Sequence, residues 1–103
     1  MGFFQNIFGN NNNDEELKQL IAEGATLVDV RTADEFASGS VKGALNIPVD
    51  RIALQHSKLN KEKTIIVFCR SGNRSAQAKV LLSQKGFKKV VNGGTWKDIN
   101  SLM

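Results

Sequence analysis

Apolar residues along this chain form short runs that predict strands. The runs are TLVDV (26–30), ALNI (44–47), TIIVF (64–68) and KKVV (88–91). The third run is wholly apolar or β-branched and shows no alternation, which is typical of a strand buried on both faces of a parallel sheet. Pro48 ends the second run, because proline cannot donate a hydrogen bond to a strand ladder.

Between these runs, apolar residues follow helical spacing. Asn13 with Glu16, and Thr32 with Glu35, have the spacing of a capping box and predict two helix starts. Asp50 is predicted to cap a third, brief helix, and Gly93-Gly94 is predicted to form a turn. The inward faces predicted are Leu17, Leu20 and Ile21; Ile52 and Leu54; Ala76, Val80 and Leu81 in a helix over 74–85; and Trp96, Ile99 and Leu102.

Strands that alternate with helices predict an α/β fold, with a mostly parallel sheet and helices on both faces. Four strands are predicted, and a fifth near the N-terminus is left open. The apolar segment 1–9 and the asparagine-rich linker 10–13 are predicted to lie outside the domain, which spans 14–103.

Composition limits the class of protein. A chain of 103 residues, 41% apolar and 23% charged, is expected to form one globular domain. Its single cysteine excludes an intramolecular disulfide. No apolar stretch reaches the length of a membrane span, and residues 1–9 lack the features of a signal peptide, so we expect a cytoplasmic protein.

The charges divide unevenly along the chain. Residues 1–57 carry 4 Lys/Arg and 8 Asp/Glu, whereas residues 58–103 carry 10 Lys/Arg and 2 Asp/Glu. The lysines are scattered and no aromatic residues are interleaved with them, so nucleic-acid binding is not expected. A positive field that attracts small anions toward Cys69 is the favoured interpretation.

The segment CRSGNRS (69–75) carries the candidate chemistry. Cys69 ends the most buried predicted strand, at the edge where parallel sheets bind ligands, and a helix follows at once. The free amides of that helix start, a loop shaped by Gly72, and the cations Arg70 and Arg74 would all stabilise an anion. This setting predicts a reactive Cys69 with a lowered thiol pKa. The alternative is that Cys69 is a small buried apolar residue.

Few reactions suit a lone thiolate. His56, the only histidine, lies in a polar stretch far along the chain and is expected to be a surface residue, not a base for Cys69. No second cysteine or histidine cluster completes a zinc site or a redox pair. Attack on phosphorus or on sulfur remains. Cysteine phosphatases place five residues between Cys and Arg, whereas four separate Cys69 from Arg74, and this shorter loop favours sulfur.

Over residues 15–103 the chain resembles single-domain rhodaneses, which are thiosulfate sulfurtransferases. The resemblance is carried by LVDVRTADEFASGSVKGALNIP (27–48), CRSGNRS (69–75) and GGTW (93–96). It implies a three-layer rhodanese-like fold and a ping-pong reaction through a persulfide on Cys69. The donor would be a small sulfur anion, and the acceptor cyanide, a cellular thiol, or a thioredoxin-like or other sulfur-carrier protein. No cofactor and no metal are implied.

The resemblance also implies roles for individual residues. Arg31 and Glu35 would form a structural ion pair, Asp29 would lie under the loop and orient it or play no such part, and Trp96 would pack in the core. Arg74 would hold the donor or instead pair behind the loop. The residues implied to bind the donor are Arg70, Ser71, Gly72, Asn73, Arg74 and Ser75.

The chain departs from the family at Gly39-Ser40, where Gly-His is frequent, and this change puts the local hydrogen bonding in question. Two other functions stay open. One is an inactive rhodanese-like module that binds a partner, and the other is a cysteine phosphatase or arsenate reductase.

Overall fold

The computed structural model describes residues 11–103, so most of the predicted extension, residues 1–10, lies outside the described residues. Strands and helices alternate as predicted. In chain order they are α1 (Asn11–Ala22), β1 (Thr26–Asp29), α2 (Ala33–Ala37), β2 (Leu45–Asn46), α3 (Ile52–Gln55), β3 (Thr64–Cys69), α4 (Asn73–Gln84), β4 (Lys89–Thr95) and α5 (Trp96–Ser101). Between residues 11 and 103, no helix is both long and apolar enough to cross a bilayer.

The described residues form one sheet of four strands in the order β2-β1-β3-β4, and every pairing is parallel. The predicted α/β fold is therefore confirmed. β1 and β3 are the central strands and pair directly, from Thr26 opposite Ile65 to Asp29 opposite Phe68. Because parallel strands end at the same edge, the residues that follow β1 lie beside the loop that follows β3.

Side chains of β3 alternate between two cores, one on each face of the sheet. Ile65, Val67 and Cys69 pack in the core that contains α3 and α4. Ile66 and Phe68 pack in the other core, against α1 and α5. All five are buried, which confirms both the three-layer arrangement and the prediction of a strand covered on both faces.

Of the three predicted helix caps, only that of α2 is correct. The Thr32 hydroxyl accepts from the Glu35 amide at 3.2 Å, and the Glu35 carboxylate accepts from the Thr32 amide at 3.0 Å. α1 already begins at Asn11, so Asn13 lies within the helix. Asp50 lies inside a 3₁₀ turn, Val49–Arg51, that follows Pro48 and has no side-chain cap.

The predicted inward face of α4 is wrong. Ser75, Ala78 and Leu82 are buried, whereas Ala76 is exposed, Val80 is 56% exposed and Leu81 is half-buried. Small and polar residues occupy the inner face close to the loop, so apolarity alone points to the wrong side of the helix. In α3 the prediction is correct for Ile52, which is buried, and wrong for Leu54, which is 76% exposed.

Gly93 and Gly94 belong to β4 and do not form a turn. Val67 pairs with Asn92 and Cys69 with Thr95, so β4 holds one extra residue there, as in a β-bulge. A Cβ on Gly93 would lie 2.7 Å from Ile99 Cδ1. The glycine therefore lets α5 approach the sheet closely, and Ile99 is fully buried there as predicted.

Candidate active site

The loop after β3 folds back over the sulfur of Cys69. Gly72, at the N-terminus of α4, has φ +97°, a conformation that favours glycine, and its amide donates to Cys69 Sγ at 3.0 Å. Its Cα also faces Gly94, whose Cα would lie 3.7 Å from an added Cβ. The glycine therefore allows an inward-pointing amide in the short loop between β3 and α4.

The loop changes the acidity of the thiol. Burial raises the pKa of Cys69, but hydrogen bonds outweigh that effect and lower the pKa below its usual value. The donors are the hydroxyl and amide of Ser75 and the amides of Ser71 and Gly72. The predicted direction is confirmed, and its main causes are hydrogen bonds instead of the arginine charges.

The Cys69 side chain has no solvent-exposed surface. Complete burial is not what the interpretation of Cys69 as a nucleophile predicts. It is what the alternative, a small buried apolar residue, predicts. The hydrogen bonds to the sulfur separate the two interpretations, because an inert core cysteine has no need of several donors around it.

A hydrogen-bond network behind the loop is not predicted by the sequence. The Ser75 hydroxyl lies 3.6 Å from Cys69 Sγ, 3.0 Å from the Gly72 carbonyl and 2.7 Å from Asn92 Oδ1. Asn92 stands on β4 and donates through Nδ2 to the Gly72 carbonyl at 3.3 Å. A polar residue at the carboxyl end of an apolar run was the signal that could have identified Asn92.

The predicted ion pair between Arg31 and Glu35 is wrong. Arg31 lies before the Thr32 cap and so outside α2. Its side chain is therefore not placed next to that of Glu35, as it would be four residues away within a helix. Glu35 instead receives two hydrogen bonds from Arg74, at 2.7 and 3.1 Å. Of the two roles considered for Arg74, the structure shows an ion pair, with Glu35, and this pair ties α4 to α2.

Replacing Glu35 by glutamine is expected to remove part of the acid sensitivity of the fold. Hydrogen bonds from Arg74 and from the Thr32 amide lower the pKa of Glu35 from 4.5 to about 2. The carboxylate therefore stabilises the fold fully above its unfolded-state pKa, and this contribution is lost as the pH falls through the folded-state value. Because the pair is partly exposed, we expect a loss of about 1 kcal/mol at neutral pH.

Urea unfolding of the parent chain and Glu35→Gln at several pH values measures this effect. The difference in the free energy of unfolding should shrink between the two pKa values of 4.5 and about 2. A difference that stays constant over that interval would show that Glu35 acts through packing and not through its charge.

The partner of Arg31 is Asp29, at the end of β1. The guanidinium donates to both carboxylate oxygens, at 2.7 to 3.1 Å, and the side chains are 5% and 0% exposed. Ser40 donates to Asp29 at 2.6 Å, so the serine found where histidine is frequent makes a hydrogen bond of its own. Arg31 also donates to the Gly39 carbonyl at 2.6 Å. Among the described residues the Asp29 carboxylate hydrogen-bonds to Arg31 and Ser40 and not to the loop.

A cleft of about 580 Å³ opens beside the loop. Arg70, the residue after the buried cysteine, lines it, as does Thr95, which pairs with Cys69 across the sheet. The half-buried Trp96 also faces the cleft, with Arg31 stacked 4.8 Å from its ring centroid. The remaining lining residues are Glu35, Ser38, Lys97 and Asp98.

The other predicted loop residues, Arg70, Ser71 and Asn73, have exposed side chains. His56 is half-buried instead of a surface residue, its ring packs edge-on against Phe87, and its Nδ1 is buried without a partner in the part of the chain described. Across residues 11–103, no three His, Cys, Asp or Glu side chains are grouped as metal ligands.

Comparison with known proteins identifies the family. The family model of the rhodanese-like domain matches residues 13–97. The chain belongs to the rhodanese family. Its relatives include a sulfurtransferase of Allochromatium vinosum, 40% identical over 80 residues that cover 76% of this chain and 75% of the relative. Another is the thiosulfate sulfurtransferase PspE of Escherichia coli, 36% identical over 74 residues, covering 70% of this chain and 71% of the relative.

The rhodanese fold is confirmed by solved structures. The human single-domain sulfurtransferase superposes with a TM-score of 0.70 at 34% identity, covering 82% of this chain and 88% of the human one. Both the resemblance and the fold expected from sequence are therefore confirmed. These relatives support a sulfurtransferase role for this rhodanese.

Proposed function

We propose that this rhodanese moves a sulfane sulfur atom from thiosulfate, or another persulfide donor, to a thiophilic acceptor through a persulfide on Cys69. The observation that carries the proposal is the Gly72 amide, which donates to Cys69 Sγ at 3.0 Å within a loop that lowers the thiol pKa. Such a loop stabilises a sulfur anion before and after the transfer, because its dipoles are already oriented.

The reaction has two steps. The Cys69 thiolate attacks the outer sulfur of thiosulfate, the new S–S bond forms, and the S–S bond of the donor breaks with its electron pair leaving on sulfite. The acceptor then attacks the terminal sulfur of the persulfide and the Cys69 thiolate is released. Cyanide would leave as thiocyanate, and an acceptor thiol would leave as its own persulfide. Neither step changes the net charge or needs a cofactor.

Arg70 and Arg74 have separate roles in this proposal. Glu35 holds Arg74, which therefore supports the loop, and the carboxylate offsets its charge. Arg70 is exposed, lines the cleft beside Cys69 and attracts the anionic donor. The exposed side chains of Ser71 and Asn73 are available for polar contacts with the donor.

Because Cys69 has no exposed surface, the donor reaches the sulfur only after a local movement of the loop. The same observation favours a second candidate function, an inactive rhodanese-like module that binds a partner. A cysteine phosphatase or arsenate reductase is disfavoured, because the four-residue spacing from Cys69 to Arg74 leaves a smaller loop than a phosphate ester needs.

Intact-mass measurement separates these functions. The folded protein is incubated with thiosulfate, and the proposal expects the gain of one sulfur atom, which is lost when cyanide is added. No adduct on a folded protein with a free thiol would favour the binding module. Hydrolysis of an aryl phosphate without a sulfur adduct would favour the phosphatase.

Replacing Arg70 by alanine is expected to weaken the use of thiosulfate more at low salt than at high salt. A single charge near a surface contributes on the order of 1 kcal/mol, so we expect about a fivefold fall in kcat/KM at low ionic strength. Lys88→Ala is the matched control, since it removes an equal charge just before β4, at the opposite edge of the sheet. Equal losses for Arg70→Ala at both salt levels would mean that Arg70 acts through its shape.

The physiological partner of this site stays a proposal. A thiol acceptor, either a small molecule or a thioredoxin-like or sulfur-carrier protein, would approach through the cleft beside Arg70 and Thr95. The domain boundary at residue 14 and the cytoplasmic location likewise stay predictions.

A further inference from the structure

Asn92 has only one amide orientation that satisfies its neighbours. Its Oδ1 accepts from the Gly94 amide at 2.9 Å, and its Nδ2 donates to the Gly72 carbonyl at 3.3 Å. A backbone amide can only donate and a carbonyl can only accept, so the reversed orientation would lose both bonds. The group that Asn92 presents to Ser75, at 2.7 Å, is therefore an acceptor.

The Ser75 hydroxyl has a single proton and three acceptors within reach. These are Asn92 Oδ1 at 2.7 Å, the Gly72 carbonyl at 3.0 Å and Cys69 Sγ at 3.6 Å. When Cys69 is a neutral thiol, its own proton can be donated to Ser75 Oγ while the serine donates to Asn92. When Cys69 is a thiolate, the sulfur is an acceptor, and the serine proton is needed there.

We propose that Asn92 is a positioning residue that holds the Ser75 hydroxyl in the orientation suited to the neutral thiol, and so competes with the thiolate for that proton. Because Ser75 is fully buried, water does not replace either partner. The orientation of this hydroxyl therefore follows the charge on the Cys69 sulfur. A persulfide anion on Cys69 would likewise accept a hydrogen bond from the hydroxyl. The proposal rests on the nucleophilic role proposed for Cys69.

Charged groups surround the site from the other elements and set a constant background. They are Arg70 on the loop, Arg74 on α4, Glu35 on α2, Asp29 at the end of β1, Arg31 after β1, and Lys97 and Asp98 on α5. In the described part of the chain none of them hydrogen-bonds to Asn92, whose partners are Gly72, Ser75 and Gly94. A neutral substitution at Asn92 therefore leaves these charges in place.

The test is a pH titration of the Cys69 thiolate by its ultraviolet absorbance, which needs neither a sulfur donor nor a reagent that reaches the buried sulfur. The chain has one cysteine and no tyrosine, so no second thiolate and no phenolate adds to the change in absorbance. Asn92→Ala should lower the pKa by about half a unit to one unit, the effect of one hydrogen bond. Ser75→Ala should raise it, because the serine donor is lost.

The double variant decides whether the effect passes through Ser75. In the Ser75→Ala background, Asn92→Ala should leave the thiol pKa unchanged. Should Asn92→Ala fail to fold, Asn92→Leu, similar in size and without polar atoms, takes its place. The proposal would be overturned if Asn92→Ala alone raised the thiol pKa or left it unchanged. It would also be overturned if Asn92→Ala lowered the thiol pKa equally in the Ser75→Ala background. If the titrations gave the expected shifts but the parent chain transferred no sulfur, only the proposed function would be refuted.

Discussion

The Cys69→Ser variant is expected to take up no sulfur from thiosulfate, while the parent chain gains the mass of one sulfur atom. A serine oxygen cannot form a persulfide, and removal of a nucleophile lowers turnover by at least about a thousandfold. Serine is close to cysteine in size and can also accept from the Gly72 amide, which lies 3.0 Å from the sulfur. The fold should therefore survive, and the loss should be chemical.

A relocated thiol provides the sharper control. Ser83 is exposed on α4, and the double variant Cys69→Ser with Ser83→Cys keeps one thiol per chain but places it in open solvent. We expect little persulfide there, because no loop of amides stabilises the sulfur anion. If the relocated thiol accepted sulfur as fast as Cys69 does, the loop would have no part in the reaction.

The second large effect expected is on stability, from replacing Arg31 by alanine. The change leaves the Asp29 carboxylate, which is fully buried, without its bidentate partner. Removal of one partner from a buried ion pair costs about 3–5 kcal/mol, because an uncompensated charge stays in the interior. Urea unfolding should show a lower midpoint in this variant.

Two further variants show whether charge is the cause. Lys88→Ala breaks an exposed pair with Glu62, in which both side chains are 68% exposed, and should change the midpoint little. Arg31→Met combined with Asp29→Asn removes both charges and should recover much of the loss. A midpoint for Arg31→Ala equal to that of Lys88→Ala would mean that the buried pair contributes nothing.

Local features of the chain were enough to predict the elements that position the site. The unbroken apolar run 64–68 predicted a covered strand, and residues 64–69 form the central strand β3. The loop residues follow Cys69 without interruption, so their proximity is fixed by chain connectivity. Gly72 is the clearest case, since a tight loop between a strand and a helix needs the positive φ that it adopts.

Partners distant in sequence could not be predicted in this way. Glu35 has an arginine four residues before it, yet it pairs with Arg74, which lies 39 residues further along the chain. Ser75 and Asn92 are separated by 17 residues and meet only because β4 pairs with β3. The inner face of α4 was also mispredicted, because the loop and its network place Ser75 toward the sheet.

The sequence by itself determined the order of strands and helices, the family motifs and the place of the single thiol at the end of a buried strand. These features depend on residues within a few positions of one another. Only the tertiary structure decided that Arg74 binds Glu35, that Asn92 stands behind the loop, and that the sulfur is fully covered. Those outcomes depend on which strands are neighbours in the sheet, and local spacing carries no information about that order.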